Sequence, residues 1–179
     1  ETPEYEGKTL LEVSRMMHKE PLDALCDIIV ANKGSDTACY YMIGEDDIKH
    51  IMKSPFTMIA SDSIPAAPGA KCHPRTNGTF PRVLGKYVRE EKTLSLEEAV
   101  NKMTCFPAAR FNIYNKGIIK VGMDADIVVF DPDTVIDGAD YEDPFKDPVG
   151  IDYVIVNGKI AINDGIYTGN AAGRVIRRV

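Results

Sequence analysis

Three residues whose side chains could bind or transform a small molecule follow one short apolar segment. Asp62 comes just after residues 56–60, and His73 and Arg75 lie further along the same stretch. Catalytic groups of α/β proteins cluster at the C-terminal ends of strands, which makes Asp62 a candidate catalytic residue. An Asx-turn at a strand exit is the alternative. Arg75 could hold a carboxylate through two parallel hydrogen bonds, or it could be a solvated loop residue.

The histidines and cysteines show no spacing typical of a metal site. His18 and His50 lie on separate predicted helices, and neither has a second histidine three or four positions away. The four cysteines contain no C-x-x-C pair, which argues against a zinc knuckle and against a disulfide framework. Reduced thiols in a cytoplasmic protein are therefore predicted.

The elements before residue 112 alternate between helical and strand patterns, which predicts an α/β fold. Helices are expected at 9–17, 22–31, 45–53, 83–91 and 96–103, and strands at 39–43 and 56–60. Thr9 with Glu12, and Ser95 with Glu98, have the spacing of capping boxes. The segment 56–60 has almost no polar alternation, so we expect it to be buried on both faces, as strands of parallel sheets are.

Two segments rich in turn residues are expected to be irregular. Residues 61–79 contain prolines and glycines, among them Pro65, Pro68 and Gly69, and predict a long loop. Loops of this length tend to be functional or disordered. Residues 131–147 are rich in acids and prolines and predict a solvated loop, since the alternating ligand spacing of a calcium site is absent.

From residue 113 the hydrophobic period changes to two, which predicts a small antiparallel β unit. The expected strands are 118–119, 126–130, 152–156 and 159–162. Asn157-Gly158 is the strongest hairpin signal in the chain and favours a type I′ turn, and Asp164-Gly165 is a second such dipeptide. We place a boundary near residue 112, between a unit at 1–112 and a unit at 113–179.

Length, charge and hydropathy exclude several classes of protein. The chain has 179 residues, whereas a closed (β/α)8 barrel takes about 250. Its formal net charge is −6, and its one basic cluster is Arg174, Arg177 and Arg178, so nucleic acid is not an expected partner. No apolar run reaches the roughly 18 residues of a membrane span, and no signal peptide is expected.

Several motifs in the second half resemble those of the amidohydrolase superfamily. They are GMDADIVVFD at 122–131, VNGK at 156–159 and PAAR at 107–110. More specific stretches resemble the D-aminoacylase family, the N-acyl-D-amino-acid deacylases: Ser61-Asp62, His73-Pro74-Arg75, GTFPRVLG at 78–85, LEEAVNKMT at 96–104 and GRVIRR at 173–178. The resemblance runs from about residue 9 to the end of the chain.

The resemblance implies a fold that the chain's length allows only in part. Family members have a metal-bearing (β/α)8 barrel and a small β-sandwich. Residues 1–112 would be the last strands and helices of the barrel, and 113–179 would be the C-terminal part of the sandwich. The His-x-His pair, the bridging cysteine and the later histidine ligands of the family have no counterpart among His18, His50 and His73. The resemblance implies that the intact enzyme binds zinc. Because those ligands are missing here, this chain alone would be inactive and would not retain the metal.

The resemblance also assigns roles to individual residues. Asp62 matches a metal-site aspartate that is the general acid and base, Arg75 matches the arginine that holds the substrate's α-carboxylate, and His73 lines the substrate site. The implied reaction is hydrolysis of the amide of an N-acyl-D-amino acid to a carboxylate and a free D-amino acid. Ser63 stands where the family often has glycine, and the loop after Asp62 is slightly longer.

Two other functions remain open at the level of the sequence. A cyclic amidase of the dihydroorotase or hydantoinase type also uses a strand-eight aspartate, although the stretch from His73 to Gly85 is not expected there. A scaffold domain without catalytic function is the second. We expect a small N-acyl amino acid, and neither nucleic acid nor a membrane, as the partner, and we expect self-association of a chain that exposes apolar surface.

Overall fold

The computed structural model describes residues 2–36, 38–64 and 72–177. A short 3₁₀ helix, Pro3–Tyr5, precedes the α-helices. These are α1 Leu10–Met17, α2 Pro21–Ala31, α3 Glu45–Lys53, α4 Arg75–Arg82, α5 Leu96–Met103 and α6 Cys105–Arg110. The helix α4 continues without interruption into a π-helical segment, Val83–Glu90. The prolines and glycine at 65, 68 and 69, and Arg178, lie outside the described residues.

Both predicted capping boxes are present. The Glu12 amide donates to the Thr9 hydroxyl at 3.3 Å, and the Glu12 carboxylate accepts from the Thr9 amide at 2.8 Å. The Thr9 amide and the Thr9 hydroxyl, which both donate to the Glu12 carboxylate, lower the pKa of Glu12. The Glu98 amide donates to the Ser95 hydroxyl at 3.2 Å, and the Glu98 carboxylate accepts in return at 2.9 Å. Each box satisfies two amides that the helix itself leaves without partners.

The prediction that residues 61–79 form an irregular loop is wrong from Arg75 onward, where α4 begins. Its sequence is a weak helix former because Gly78 and Pro81 lie inside it. Both residues are buried, and a Cβ at position 78 would lie 3.2 Å from the Asp137 Cβ. Tertiary packing therefore outweighs the low propensity. Pro81 has no amide to donate, and the chain adopts the wider π-helical form two residues further on, at Val83.

The strands predicted at 39–43, 56–60 and 118–119 do not form among the described residues. Residues 56–60 are not buried on both faces either, since the Phe56 side chain is 85% exposed. A strand exists only through hydrogen bonds to a neighbouring strand. Among the described residues the only sheet is the one formed by the C-terminal β unit. No described strand pairs with these segments.

The C-terminal β unit is an antiparallel meander in the order β1-β2-β3-β4. Its strands are β1 Ile127–Phe130, β2 Ile151–Val156, β3 Lys159–Asn163 and β4 Ile166–Tyr167. Asn157 and Gly158 have φ values of 48° and 75°, as a type I′ turn requires, so the predicted hairpin is confirmed. Asp164 and Gly165, with φ of 51° and 74°, form the second turn.

Residues 131–147 form the predicted loop, but the loop is only partly solvated, because part of the hydrophobic core comes from it. Val135 is fully buried and packs in one cluster with side chains from the helical part: Met52, Val83, Leu84, Tyr87, Leu94 and Ala99. The π-helical segment approaches this loop so closely that a Cβ at Gly85 would lie 2.6 Å from the Val135 carbonyl oxygen. The acids and prolines of this segment predict exposure, but Val135 and Ala139 within it are buried.

In the described ranges, no helix has both the length and the apolar character needed to cross a membrane.

Candidate active site

The segment that leads to Asp62 is fixed by a buried lysine. Lys102, at the end of α5, is only 7% exposed, and its ammonium donates to the carbonyl oxygens of Ser54 at 2.5 Å and Thr57 at 3.0 Å. The amide of Ile59 donates to the Lys102 carbonyl at 3.1 Å. Because a buried ammonium needs partners for its protons, these contacts hold residues 54–59 against α5.

Asp62 and Arg75 form an ion pair at the start of α4. The Arg75 Nη1 lies 2.9 Å from the Asp62 Oδ2, with the Asp62 side chain 84% exposed and the Arg75 side chain 37% exposed. Asp62 has a left-handed backbone with φ of 48°, which aspartate tolerates better than most residues. An exposed pair of this kind contributes at most about 1 kcal/mol to stability. Both groups are accordingly open to a ligand.

A second contact joins the Asp62 segment to α4. The hydroxyl of Ser63 donates to the hydroxyl of Thr76 at 3.0 Å. The Ser63 side chain therefore has a defined structural partner. Together with the ion pair, this hydrogen bond places the Asp62 carboxylate over the first turn of α4.

His73 caps the first turn of α4. Pro74, the residue at the N-cap, has no side-chain acceptor, and the His73 Nδ1 instead accepts from the Arg75 amide at 3.1 Å. The Thr76 amide donates to the His73 carbonyl oxygen at 3.3 Å. The first amides of a helix lack partners within the helix. The imidazole supplies the acceptor for one of these amides, that of Arg75. His73 thereby fixes the backbone of Arg75.

The other edge of the His73 ring contacts Tyr141. The Tyr141 Oη lies 3.3 Å from the His73 Nε2, and the two rings meet edge to face with centroids 5.3 Å apart. Tyr41 also packs against Tyr141, with ring centroids 5.4 Å apart. Burial, followed by the charges of Arg75 and Arg82, lowers the pKa of His73. The imidazole is therefore neutral at physiological pH.

The loop that carries Tyr141 is attached to α4 at two further points. The Arg82 guanidinium contacts the Asp137 Oδ2 through Nε at 2.9 Å and through Nη2 at 2.8 Å. The Asn77 side-chain amide donates to the Phe145 carbonyl oxygen at 2.9 Å. Successive turns of α4 thus hold residues 137–145 beside the start of the helix.

The described residues do not by themselves complete a zinc site. A catalytic zinc ion takes three protein ligands, and among the residues with described positions no three His, Cys, Asp or Glu side chains come together to hold a metal ion. The exposed carboxylate of Asp62 is chemically suitable as one oxygen ligand. A complete ligand set would therefore need at least one residue from outside the described part of the chain.

The structure brings the three sequence-predicted residues together, and it adds three that the sequence did not indicate. Asp62 contacts Arg75, and His73 contacts the Arg75 backbone. The additional residues are Lys102, Tyr141 and Tyr41. The contact between Tyr141 and His73 spans 68 positions of the chain, and no local pattern of residue types predicts contacts at such a distance.

Comparison with known proteins identifies the class to which this fold and site belong. The family model described as the amidohydrolase family matches residues 15–162, and the chain belongs to that family. It is 42% identical over 176 residues to the D-aminoacylase of Alcaligenes xylosoxydans xylosoxydans, a match that covers 98% of this chain. The resemblance to the D-aminoacylase family is thereby confirmed. The chain spans 35% of that relative's length.

Two solved structures show the same likeness in three dimensions. One concerns the binuclear metal centre of a D-aminoacylase, with a TM-score of 0.87 and 41% identity, covering 98% of this chain and 36% of that one. The other is N-acyl-D-glutamate deacylase from Bordetella bronchiseptica complexed with zinc and a phosphonate inhibitor. Its TM-score is 0.82 with 38% identity, and the match covers 96% of this chain and 34% of that one. The mixed helix and sheet structure described above is therefore an amidohydrolase fold.

Proposed function

We propose that this chain is the C-terminal part of a zinc-dependent deacylase that hydrolyses N-acyl-D-amino acids to a carboxylate and a free D-amino acid. The observation that carries the proposal is the contact between Asp62 and Arg75, which joins a group able to transfer protons to a group able to bind a carboxylate. The likeness to D-aminoacylase over 98% of the chain supports the choice of substrate and its D-configuration.

Asp62 is the catalytic residue of this proposal and one ligand of the metal. Zinc, when bound, lowers the pKa of a coordinated water to about 7 and polarises the amide carbonyl. The Asp62 carboxylate accepts a proton from the attacking water and delivers it to the nitrogen of the departing amine. Its high exposure leaves the carboxylate free to meet the metal and the scissile amide.

Arg75 binds the α-carboxylate of the substrate. A guanidinium has five N–H donors, and Asp62 contacts it through Nη1, so the other donors can hold a second carboxylate. A substrate held this way has its Cα, and the amide nitrogen attached to it, close to Asp62. Asp62 and Arg75 together therefore place the bond to be cleaved beside the proton-transferring group. His73 lines this site and holds Arg75 in place.

The proposed protein extends beyond the residues of this chain. Residues 1–112 would complete a (β/α)8 barrel together with preceding strands, and 113–179 would form part of a β-sandwich. The extended apolar segments 39–43 and 56–60 support this arrangement, because their exposed side chains, including Tyr41, Met42 and Phe56, are typical of strands that pair with others. The remaining metal ligands would lie in the preceding region, so the chain alone is inactive. Four free cysteines support a cytoplasmic location.

The test uses the full-length protein with this region in place. Wild type is expected to bind zinc and to hydrolyse N-acetyl-D-amino acids but not the L-enantiomers. Asp62→Asn is expected to lower kcat by at least about 100-fold, as loss of an acid–base group does. Asp164→Asn is the matched control, because Asp164 is also exposed and has nearly the same backbone, with φ of 51° against 48°.

The outcomes separate the candidate functions. Absence of hydrolysis of either enantiomer by a folded, zinc-loaded protein would overturn the deacylase proposal. Opening of hydantoin or dihydroorotate rings in the same assay would identify a cyclic amidase. An inactive full-length protein with no metal would instead favour a scaffold domain.

A further inference from the structure

We propose that Tyr141 is a positioning residue of this site, which sets the direction of the Arg75 guanidinium by holding the His73 ring from its far edge. The inference rests on the proposed function for what Arg75 binds. Tyr141 lies 68 positions after His73 and outside the sequence motifs that resemble the D-aminoacylase family.

The contacts of the His73 ring determine which of its nitrogens carries the proton. Its Nδ1 accepts from the Arg75 amide, so this nitrogen carries no proton. A neutral imidazole has one donor and one acceptor, and the proton must therefore be on Nε2. The Nε2–H then donates to the Tyr141 oxygen, which lies 3.3 Å away. Tyr141 thus stabilises the one tautomer that can cap α4.

Tyr141 is itself restrained by its neighbours. Its side chain is 42% exposed, and its ring contacts the rings of Tyr41 and His73, with centroids 5.4 Å and 5.3 Å away. The flanking loop is attached to α4 through Asp137 and Phe145. Burial, together with a hydrogen bond to Tyr41, raises the pKa of Tyr141 and keeps the hydroxyl protonated. A tyrosine restrained by two ring contacts and by an anchored loop can fix the orientation of the ring it contacts.

The His73 ring affects the substrate through Arg75. When the imidazole is fixed, the Arg75 amide is fixed, and the first turn of α4 determines where the guanidinium lies relative to Asp62. Tyr141 makes no contact with Asp62 among the described hydrogen bonds, and it takes no part in proton transfer. Its removal should therefore impair substrate binding more than the chemical step, since an arginine that moves holds a carboxylate less well.

The experiment compares Tyr141→Phe with Tyr167→Phe in the full-length, zinc-loaded protein. Tyr167 is an exposed tyrosine on β4 and serves as the matched control. We expect Tyr141→Phe to speed hydrogen exchange at the Arg75 amide about fivefold, the factor that corresponds to one neutral hydrogen bond. KM for an N-acetyl-D-amino acid should rise by about the same factor with kcat changed less than about twofold. The control should change neither quantity.

A double-mutant cycle tests whether the effect passes through the histidine. Asparagine at position 73 can still cap the helix through its side-chain oxygen, but it has no Nε2–H for the tyrosine. In a His73→Asn background, Tyr141→Phe should therefore leave KM unchanged. An equal effect of Tyr141→Phe in both backgrounds would overturn the proposal, as would unchanged exchange at Arg75.

The exchange measurement keeps this proposal separate from the proposed function. Faster exchange in Tyr141→Phe, in a protein that hydrolyses no N-acyl amino acid, would support the positioning of Arg75 and overturn the substrate assignment. Normal deacylase activity with no change in exchange or KM in Tyr141→Phe would support the substrate assignment and overturn the positioning role of Tyr141.

Discussion

Arg82 contacts Asp137 through two nitrogens of its guanidinium, and this ion pair joins residues 55 positions apart. The Asp137 side chain is only 6% exposed, whereas that of Arg82 is 44% exposed. The pair lies between α4 and the loop that contributes Val135 to the core and Tyr141 to the site. It therefore connects the helical part, the β unit and the candidate active site.

Removal of the Arg82 guanidinium should destabilise the protein. Arg82→Gln leaves the nearly buried Asp137 carboxylate without its charged partner, and the cost is expected to be about 2–3 kcal/mol. This loss of stability is smaller than that expected for a fully buried pair, because the Arg82 side chain is 44% exposed. Urea unfolding of the full-length protein measures the change. Arg110→Gln, at an exposed position on α6, is the control and should leave the unfolding midpoint unchanged.

Lys102 offers a test of how the segment before Asp62 is held. Lys102→Met keeps the aliphatic length but leaves the carbonyl oxygens of Ser54 and Thr57 without their donor. The expected loss of stability is about 1–3 kcal/mol. Activity should fall as well, because the same contacts determine where the Asp62 segment lies. Lys120→Met, at an exposed position, should change neither property, and equal effects of the two substitutions would contradict this account.

Acid should weaken the structure around His73. Burial, Arg75 and Arg82 lower the pKa of His73 below its ordinary value of 6.5, whereas the unfolded chain takes up the proton near that value. The stability that His73 contributes is therefore present above about pH 6.5 and is lost as the pH falls through the lower pKa of the folded state. Urea midpoints measured between about pH 7 and pH 5 should fall less in His73→Gln than in wild type. Parallel pH curves for the two proteins would refute this prediction.

The chain by itself should associate. Large apolar side chains on α1, on α2 and in the extended segments are exposed: Leu11, Leu22, Val30, Tyr40, Met42 and Phe56. Exposed apolar surface of this extent favours contacts between copies. Light scattering of the 179-residue chain should show oligomers that bind a hydrophobic dye, and the full-length protein should bind less dye. A monodisperse monomer without dye binding would show that this surface does not drive association.

A pair of substitutions identifies the surface responsible. Met42→Ser, in the extended segment 39–43, should reduce the association measured by light scattering. Val121 is 99% exposed and lies near the start of the β unit, so Val121→Ser removes a similar apolar side chain outside the helices and extended segments. It should leave the association unchanged.

What the sequence determined by itself is local. The capping boxes at Thr9 and Ser95 and the hairpin at Asn157-Gly158 form as predicted, because each depends on residues within a few positions of one another. The motifs around Asp62 and Arg75 indicated the family correctly for the same reason, since a motif is a local pattern.

The tertiary structure decided the features that depend on distant partners. Residues 56–60 have the composition of a buried strand, but a strand needs a neighbour, and none of the described residues supplies one. The helix α4 forms against the propensity of its own sequence because Gly78 and Pro81 pack against other parts of the chain. Likewise, the sequence placed His73 in the site, but only the fold shows that its ring joins Arg75 to Tyr141. Local hydrogen bonds are encoded in neighbouring residues, whereas pairing, burial and ring contacts are determined by the free energy of the whole folded chain.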